Sequence, residues 1–430
     1  MYFLKLMPLL PSRRRYPRGL LPILALALLA SCGGGKTRPP PPADVTVSVQ
    51  LDRPLPGRHS ASGFLHALTP TDPPDRLVAP LRPRLWRSDL LRAPVRRALA
   101  LGARYEVVLS DFWGYPKDGW RGHGPPWRDL GRWAGLVRQV ARSQRGRPLL
   151  WDVWNEPNRP ESFGGGLRRF LRVYAVARRA LRQELGPGAQ IGGPSTAGFR
   201  PAWLTALLRC CGAEFLSWHA NPRPPEPIAS ITADLRAARR LGRPVEVNES
   251  VGEADQYLPG EIVGYLAAIE AGGADAAARA CWPDSRGRSN CGADTLDGVL
   301  TRAGVPRAAW WAYRWYAATP AEARVGASAS DGRVAALASG GSPARVLLGR
   351  AARGQTGGLD LDLALRGLPD GDAPVRVEAL PAAGERPLPE PRLLFAGEVH
   401  VDHGRADVRV PGLAPHEAVL VTVGSDHPGG

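Results

Sequence analysis

Two short β-rich runs of the chain each end in a glutamate. The run WDVWNEPN carries Glu156, with Pro157 directly behind it, and the run PVEVNES carries Glu249. Two carboxylates at the ends of different strands can share acid–base work: a protonated one assists a leaving oxygen, while an ionised one attacks carbon. Like charge and partial burial would raise the pKa of the acid. This is the chemistry of glycosidic-bond hydrolysis with retention, in which the carboxyl groups lie roughly 5–5.5 Å apart.

Each of these glutamates also has an ordinary structural interpretation. Glu156 could cap the helix that follows Pro157. Glu249 could be a surface residue, with Glu246 of the same run acting as the nucleophile. We favour Glu249, because catalytic residues of barrels lie at the ends of strands.

Five further side chains lie at or near predicted strand ends. Arg87 could orient a carboxylate or simply pair with an acidic neighbour, and His219 could line a site or be a core histidine. Trp282 could stack on a sugar or pack in the core. Asp111 could bind a hydroxyl group or cap a helix, and the role of His66 is equally open. No spacing of cysteines and histidines is typical of zinc, and two carboxylates need neither a metal nor an organic cofactor.

The elements that must position these side chains follow from about Ser60 onward. Short apolar runs alternate with helical stretches, which predicts a parallel α/β sheet. Eight such units over roughly 260 residues predict a (β/α)8 TIM barrel at 44–320. The last helix is expected at Arg307–Ala318, with its aromatic residues in packing. The predicted strands are Gly63–His66, Arg84–Ser88, Tyr105–Ser110, Leu149–Trp154, Ala189–Gly193, Glu214–His219, Pro244–Asn248 and Ala278–Trp282.

Beyond Pro320 the pattern changes to short apolar runs separated by glycine, proline and aspartate. These predicted strands are Val334–Leu337, Ala344–Leu348, Leu359–Leu363, Val375–Leu380, Glu398–Val401, Ala406–Val410 and Ala418–Val423. This pattern predicts an antiparallel β-sandwich at 321–430. Near the other end, Val45–Leu51 alternates apolar and polar residues with period two, which predicts a strand. Residues 44–52 could therefore belong to the sandwich, although they precede the barrel.

The first residues read as a targeting segment. A positive region is followed by the apolar run Leu20–Leu29, too short to span a bilayer, which predicts a signal peptide at 1–31. The run ends just before Cys32 and resembles a bacterial lipobox, although an ordinary signal peptide is the alternative. Residues 32–43 would be the lipidated cysteine and a flexible linker. We therefore expect export, with a lipid anchor in the bacterial cell envelope as the sole membrane contact, on the periplasmic or cell-surface side.

Export permits disulfides among the remaining cysteines. A bridge from Cys281 to Cys291 would staple one loop. Adjacent cysteines rarely pair with each other, so Cys210 and Cys211 are expected to be small, buried apolar residues near a helix end.

Charge alone would permit a nucleic-acid binder. The 430-residue chain has a formal net charge of +16, nearly all of it from arginine. The arginines are scattered over many predicted helices and loops, with no basic tract interleaved with aromatic residues. We therefore expect no nucleic-acid partner, and at most a weak preference for acidic polysaccharides.

Several motifs resemble a known family. Trp154-Asn155-Glu156-Pro157 and Asn248-Glu249 are similar to clan A of the glycoside hydrolases. Other motifs resemble glycoside hydrolase family 39, which includes β-xylosidases, α-L-iduronidases and exopolysaccharide-degrading hydrolases. The resemblance runs from Val45 to the C-terminus. These motifs are Ser62-Gly63-Phe64-Leu65-His66, Trp86-Arg87, Gly192-Gly193-Pro194-Ser195, Phe215-Leu216-Ser217-Trp218-His219 and Leu300-Thr301-Arg302-Ala303-Gly304-Val305-Pro306.

The resemblance implies roles for individual residues. Glu156 would be the general acid/base and Glu249 the nucleophile. Asn221 and Ser250 depart from residues frequent in the family, which puts the substrate in doubt. The other implied contacts are Asn155 to the sugar 2-hydroxyl, Arg87 to the nucleophile, His219 to the cleaved sugar and Trp282 to a sugar face.

Three functions compete on this evidence. The first is β-xylosidase-like hydrolysis of an oligo- or polysaccharide substrate. The second is endo-acting hydrolysis of an exopolysaccharide at the cell surface, which a lipid anchor would suit. The third is a non-catalytic carbohydrate-binding lipoprotein, which would be expected to have lost one of the two carboxylates.

Overall fold

The computed structural model describes residues 42–57, 59–89, 95–223, 226–351 and 355–425. The predicted signal peptide, Cys32 and nearly all of the predicted linker lie outside the described residues. Over the described ranges, no helix has the length and apolar character needed to cross a membrane.

Eight parallel strands form the first sheet, and each pairs with the next in chain order. The sheet closes because the N–H of Ala277, in the last strand, donates to the carbonyl of Ser60 just before the first, at 2.8 Å. The predicted barrel is therefore confirmed. Its strands are β2 (Gly63–Leu65), β3 (Leu85–Ser88), β4 (Arg104–Val108), β5 (Leu149–Asp152), β6 (Gln190–Ala197), β7 (Phe215–Ala220), β8 (Val245–Ser250) and β9 (Ala276–Arg279), preceded by β1 (Val45–Pro54) of the second sheet.

Side chains alternate across each barrel strand, so every second residue points inward. An apolar cluster inside the barrel contains Leu85, Leu150, Phe215, Ala276 and Ala278. The outward residues of the same strands, among them tryptophans and valines, pack beneath the helices. The interior positions nearer the C-terminal ends carry polar side chains, and these build the site described below.

Helices cover the outside of the barrel. Asp129 caps α4 by accepting a hydrogen bond from the N–H of Arg132 at 2.8 Å. The aromatic residues of α9 are largely buried, as predicted. The helices are α1 (Asp75–Val78), α2 (Val95–Ala100), α3 (Ser110–Trp113), α4 (Leu130–Ser143), α5 (Gly166–Leu185), α6 (Pro201–Cys211), α7 (Ser230–Arg239), α8 (Pro259–Gly272) and α9 (Ala308–Ala318).

The second sheet has nine strands in the order β15-β14-β17-β12-β11-β10-β1-β13-β16. β1 pairs parallel with β13 and antiparallel with β10, so the N-terminal strand lies within the C-terminal sheet. The two end strands are joined by a tight turn at Asp402–Arg405, which requires the sheet to curl into a sandwich. Its strands are β10 (Arg324–Ala329), β11 (Val334–Ser339), β12 (Ala344–Arg350), β13 (Leu359–Arg366), β14 (Gly371–Leu380), β15 (Arg392–Val401), β16 (Arg405–Leu413) and β17 (Ala418–Val423).

The sandwich packs against the barrel through α8. The N–H of Gly260 donates to the carbonyl of His416, at 2.8 Å, and the ring of His416 contacts the buried carboxyl of Glu261 at 2.5 Å. A side chain at Gly260 would meet Arg350 and Glu417 backbone oxygens at 2.4 and 2.7 Å. Because its exposed side is covered in this way, α8 is apolar nearly all round.

Both predictions about cysteines can be judged. The bridge between Cys281 and Cys291 is present, as predicted. The expectation for Cys210 and Cys211 was wrong, since these neighbours form a disulfide at the end of α6. Neither cysteine is buried. Cys211 lies two turns after the buried Leu204, on the same side of α6, and is half-buried. Cys210 lies beside that buried side and is exposed.

Candidate active site

Arg87 lies at the centre of the polar interior, near the C-terminal end of β3. Its Nε donates to Glu106 at 3.1 Å, and its Nη1 donates to Glu249 at 2.9 Å. Its Nη2 donates to Asp152 at 2.7 Å and to the side-chain oxygen of Asn155 at 2.9 Å. Burial disfavours the charge of Arg87, but the surrounding carboxylates outweigh it and raise its pKa above the ordinary range.

The predicted catalytic pair meets at one nitrogen atom. His219 Nδ1 lies 3.0 Å from an oxygen of Glu156 and 3.4 Å from an oxygen of Glu249. Both carboxylates therefore border the same small space, with one oxygen of each within 3.4 Å of a single atom. The side chains of Glu156 and Glu249 are 22% and 20% exposed, while His219 is only 2% exposed. The two carboxylates can therefore meet a ligand from the barrel mouth, and His219 forms the wall behind them.

The electrostatic environment of Glu156 differs from the one expected. Burial alone would raise the pKa of this carboxyl. The hydrogen bond and charge of His219, together with Arg159 and Arg87, outweigh burial and hold the pKa of Glu156 below its ordinary value. The expected upward shift assumed that Glu249 would be the dominant neighbour, whereas basic groups surround Glu156 in this state.

The loop that carries Glu156 is fixed against the next strand. Glu156 has a left-handed backbone with φ of 50°, an unfavourable conformation for a non-glycine residue. Its N–H donates to the carbonyl of Ser195 at 2.9 Å. Asn158 donates to and accepts from the backbone of Ala197 at 3.1 and 2.8 Å. The helix-cap interpretation of Glu156 is excluded, because α5 begins only at Gly166.

Glu246, the alternative nucleophile, lies deeper in the barrel. Its carboxyl is fully buried and accepts a hydrogen bond from Arg104 at 2.7 Å. Glu249 follows three residues later on β8, where the strand reaches the barrel mouth. Position therefore favours Glu249 as the carboxylate that can reach a ligand.

His66 lies beside Arg87, because its backbone N–H donates to the Arg87 carbonyl at 3.0 Å. The charges of His66 and Arg87 both lower the pKa of Asp111. His66 Nδ1 contacts Ser88 Oγ at 2.9 Å. Asp111 accepts a hydrogen bond from the hydroxyl of Tyr115. Burial raises the pKa of Asp111 despite the favourable neighbours. Asp111 lies in the first turn of α3, but no side chain caps that helix, so the cap interpretation is not what the structure shows.

A cleft of about 870 Å³ opens beside Glu156 and His219. Trp282 forms part of its wall, and its indole N–H donates to the carbonyl of Val251 at 2.8 Å, which fixes the ring. Arg159, Arg200 and Arg223 also line the cleft, together with several carboxylates. Within the described parts of the chain, no group of three or more His, Cys, Asp or Glu side chains could hold a metal ion.

Sequence reasoning missed three residues that support the site. Asp152 accepts a hydrogen bond from Arg87 and helps to hold it in place. Burial raises the pKa of Asp152 to about 6, because the opposing effect of Arg87 is smaller. Asn248 donates to Glu106 and to the hydroxyl of Ser195, both at 2.8 Å. Glu106 had no assigned role. A signal existed, because Glu106 and Asp152 are charged residues within otherwise apolar strands.

Comparisons with known proteins agree with this architecture. No family model matches the chain. A β-xylosidase from Geobacillus stearothermophilus is 29% identical over 114 residues, which is 24% of this chain and 22% of that protein. A β-xylosidase from Caldicellulosiruptor saccharolyticus is 26% identical over 148 residues, 31% of this chain and 29% of that protein. The aligned parts thus span less than a third of either relative.

Solved structures match over most of the chain. A monomeric β-xylosidase from Caulobacter crescentus CB15 superposes with a TM-score of 0.65, 17% identity and coverage of 89% of this chain and 100% of that one. A glycoside hydrolase family 39 enzyme from Xanthomonas axonopodis pv. citri superposes with a TM-score of 0.62 and 16% identity, covering 88% of this chain and 97% of that one. A glucosidase from Croceicoccus marinus superposes with a TM-score of 0.65 and 16% identity, covering 89% of this chain and 99% of that one. The fold is therefore shared with these proteins, and the resemblance to family 39 inferred from the motifs is confirmed.

Proposed function

We propose that this protein is a retaining glycoside hydrolase, with Glu249 as nucleophile and Glu156 as general acid/base. The observation that carries the proposal is the contact of both carboxylates with one nitrogen of His219, at 3.0 and 3.4 Å. Two carboxylates that border one space can act on the same sugar, one as nucleophile and the other as acid.

Each step of the reaction then falls to a group of the chain. The protonated Glu156 gives its proton to the glycosidic oxygen, while an oxygen of Glu249 attacks the anomeric carbon and the bond to the leaving group breaks. A glycosyl ester of Glu249 and a free alcohol result. The ionised Glu156 next takes a proton from water, whose oxygen attacks the same carbon and releases Glu249. Arg87 holds Glu249 in place through an ion pair of 2.9 Å.

A xylosidase-like substrate is the first specificity to test, because both curated relatives are β-xylosidases. One observation favours endo action on a polysaccharide as a second candidate: the cleft beside Glu156 has a volume of about 870 Å³, which is room for more than one sugar. A purely carbohydrate-binding role is less well supported, because both carboxylates are present and lie within 3.4 Å of the same nitrogen of His219.

The full chain and its Glu249→Ala variant test the proposal on aryl β- and α-glycosides and on several polysaccharides. The parent should release a sugar of retained configuration, as read by NMR, and the variant should lose several orders of magnitude in kcat. Azide should restore turnover and yield a glycosyl azide of inverted configuration, since it attacks from the side that Glu249 vacates. Glu322→Ala, at an exposed glutamate, serves as the control and should match the parent. A product of inverted configuration from the parent would refute the retaining mechanism.

A further inference from the structure

Two glutamates meet in the interior of the barrel below the catalytic pair. Glu106 lies on β4 and Glu246 on β8, four strands apart in an eight-stranded barrel and therefore on opposite walls. Both side chains are fully buried. Each carboxyl group affects the pKa of the other, so the two groups lie close together in the interior.

The hydrogen-bond donors around the two carboxyl groups leave one oxygen of each unsatisfied. One oxygen of Glu106 accepts from Arg87 Nε at 3.1 Å and from Asn248 Nδ2 at 2.8 Å. One oxygen of Glu246 accepts from Arg104 Nη2 at 2.7 Å. The second oxygen of each is buried and accepts nothing from any described donor. Two ionised carboxylates have no hydrogen to share, whereas a single proton between them satisfies both.

The same Glu106 oxygen is connected to both catalytic glutamates. Through Arg87 it supports Glu249, which accepts from Nη1 of that arginine at 2.9 Å. Through Asn248 it supports Ser195, whose hydroxyl accepts from Asn248 at 2.8 Å. The carbonyl of Ser195 in turn accepts from the N–H of Glu156 at 2.9 Å.

We propose that Glu106 and Glu246 form a singly protonated carboxyl pair that positions the two catalytic glutamates relative to each other. The pair touches no reacting atom, and its effect passes through Arg87 and Asn248. This inference rests on the proposed function for the roles of Glu156 and Glu249.

Charge balance around Arg87 supports the shared proton. The arginine already contacts the carboxylates of Asp152 and Glu249. A fully ionised Glu106–Glu246 pair would add two buried negative charges. Arg104 contacts the one on Glu246. Burial raises the pKa of both glutamates, and the charge of Glu246 raises that of Glu106 further. A single proton leaves Arg87 free to hold Glu249.

The proton itself can be measured without a substrate. The infrared C=O stretching band of a protonated carboxyl group should be present in the full chain at neutral pH. It should be diminished by Glu106→Gln and also by Glu246→Gln, because either amide can donate to the remaining carboxylate and remove the need for the proton. Glu322→Gln, at an exposed glutamate, should leave the band unchanged. A band of unchanged intensity in both interior variants would overturn the shared proton.

The positioning role is tested by kinetics on the same variants. Glu106→Gln keeps an acceptor oxygen for Arg87 and Asn248, whereas Glu106→Ala removes it. We expect Glu106→Ala to lower kcat about 100-fold, as for a misplacement of roughly 1 Å, with little change in KM. The glutamine variant should recover most of that loss. Equal losses in the two variants, or a loss confined to KM, would contradict the inference.

Failure of the two proposals can be told apart. A parent that hydrolyses no glycoside would refute the proposed function, while the infrared band would still decide whether the pair holds a proton. An active parent whose band does not respond to either substitution would refute this inference alone. If Glu106→Ala does not fold, as judged by circular dichroism, Glu246→Leu tests the same support from the other wall.

Discussion

Five carboxyl groups lie within one barrel interior, and each has different charged or hydrogen-bonding partners, which suit it to a different role. Glu249 and Asp152 share the guanidinium of Arg87. Glu156 lies among basic groups, and Glu106 faces Glu246. Removing Arg87 would leave buried carboxylates without their counter-charge, which typically costs about 3–5 kcal/mol. Arg87 therefore supports the fold as well as the nucleophile.

The pH dependence of catalysis should report on His219. The hydrogen bond and charge of His219 are the main effects that lower the pKa of Glu156 against burial. Because Glu156 must be protonated to act as acid, kcat/KM should fall as pH rises through this lowered pKa. His219→Asn removes the charge, so burial should raise the pKa of Glu156 and move the fall in kcat/KM to higher pH.

A pH profile of kcat/KM for the parent and His219→Asn measures this shift. Arg159→Gln provides a matched comparison, because Arg159 lies 3.6 Å from the other oxygen of Glu156 and is partly exposed. Solvent screening should make its effect smaller, in the same direction. An unmoved profile in the histidine variant would mean that a group other than Glu156 sets the alkaline fall.

At the scale of elements, close packing inside the barrel depends on one glycine of β6. A Cβ at Gly192 would lie 2.3 Å from the ring of Phe215 on the adjacent strand, far inside contact distance. Gly192→Ala should therefore destabilise the protein by about 1–3 kcal/mol through overpacking. Urea unfolding, monitored by circular dichroism, measures the change.

A second substitution tests whether the ring is the cause. Phe215→Leu makes room, so the double variant should be more stable than the sum of the single effects predicts, by about 1 kcal/mol or more. Gly135→Ala is the control: Gly135 lies within α4 with open space around it, and alanine should stabilise the helix by about 1 kcal/mol. Strictly additive single effects would exclude the steric explanation.

Most elements could be predicted because their residues obey simple patterns. The barrel strands are apolar runs bounded by turns, and the predicted and observed strands overlap in every case. β10 was missed because its sequence RVGASA has little apolar character and is mostly half-exposed. The first half of β15 was missed because a largely exposed strand lacks the alternation that marks a buried face.

The site could be predicted in part, for a related reason. Glu156 and Glu249 lie at or just beyond the C-terminal ends of strands, so the rule that strand ends meet at one barrel mouth was enough to bring them together. Glu106, Asn248 and Ser195 act from inside the barrel. Their roles depend on which strands face each other across the interior, and that is a property of the closed sheet rather than of any single run.

At the scale of the whole molecule, we propose export and attachment to the envelope through lipidated Cys32. If this holds, Cys32→Ser should move the full chain from the membrane fraction to the soluble fraction of a bacterial host, because the acyl chains supply the attachment. Mass spectrometry of the N-terminal peptide should find a diacylglyceryl group in the parent. Ser31→Ala keeps a small residue before the cysteine and should remain in the membrane fraction. Equal membrane association of Cys32→Ser would refute the anchor.

The contact between barrel and sandwich should make stability depend on pH. Glu261, fully buried on α8, faces His416 from the sandwich. Burial raises the pKa of Glu261 above the model-peptide value of 4.5, although His416 opposes the shift. The folded state therefore binds this proton more tightly than the unfolded state does. Its contribution to the free energy of unfolding is fully present below pH 4.5 and is lost as pH rises through the raised value.

Glu261→Gln cannot lose a proton, so it should lack this decline. We expect the free energy of unfolding of the parent to fall relative to that of Glu261→Gln as pH rises from 4.5, and the difference to level off above the raised pKa. Urea unfolding across that range measures both proteins. Glu322→Gln, at an exposed glutamate, should follow the parent throughout. A difference that grows in the opposite direction would mean that His416 stabilises the ionised Glu261 more strongly than burial penalises it, and that the contact joins barrel and sandwich as an ion pair.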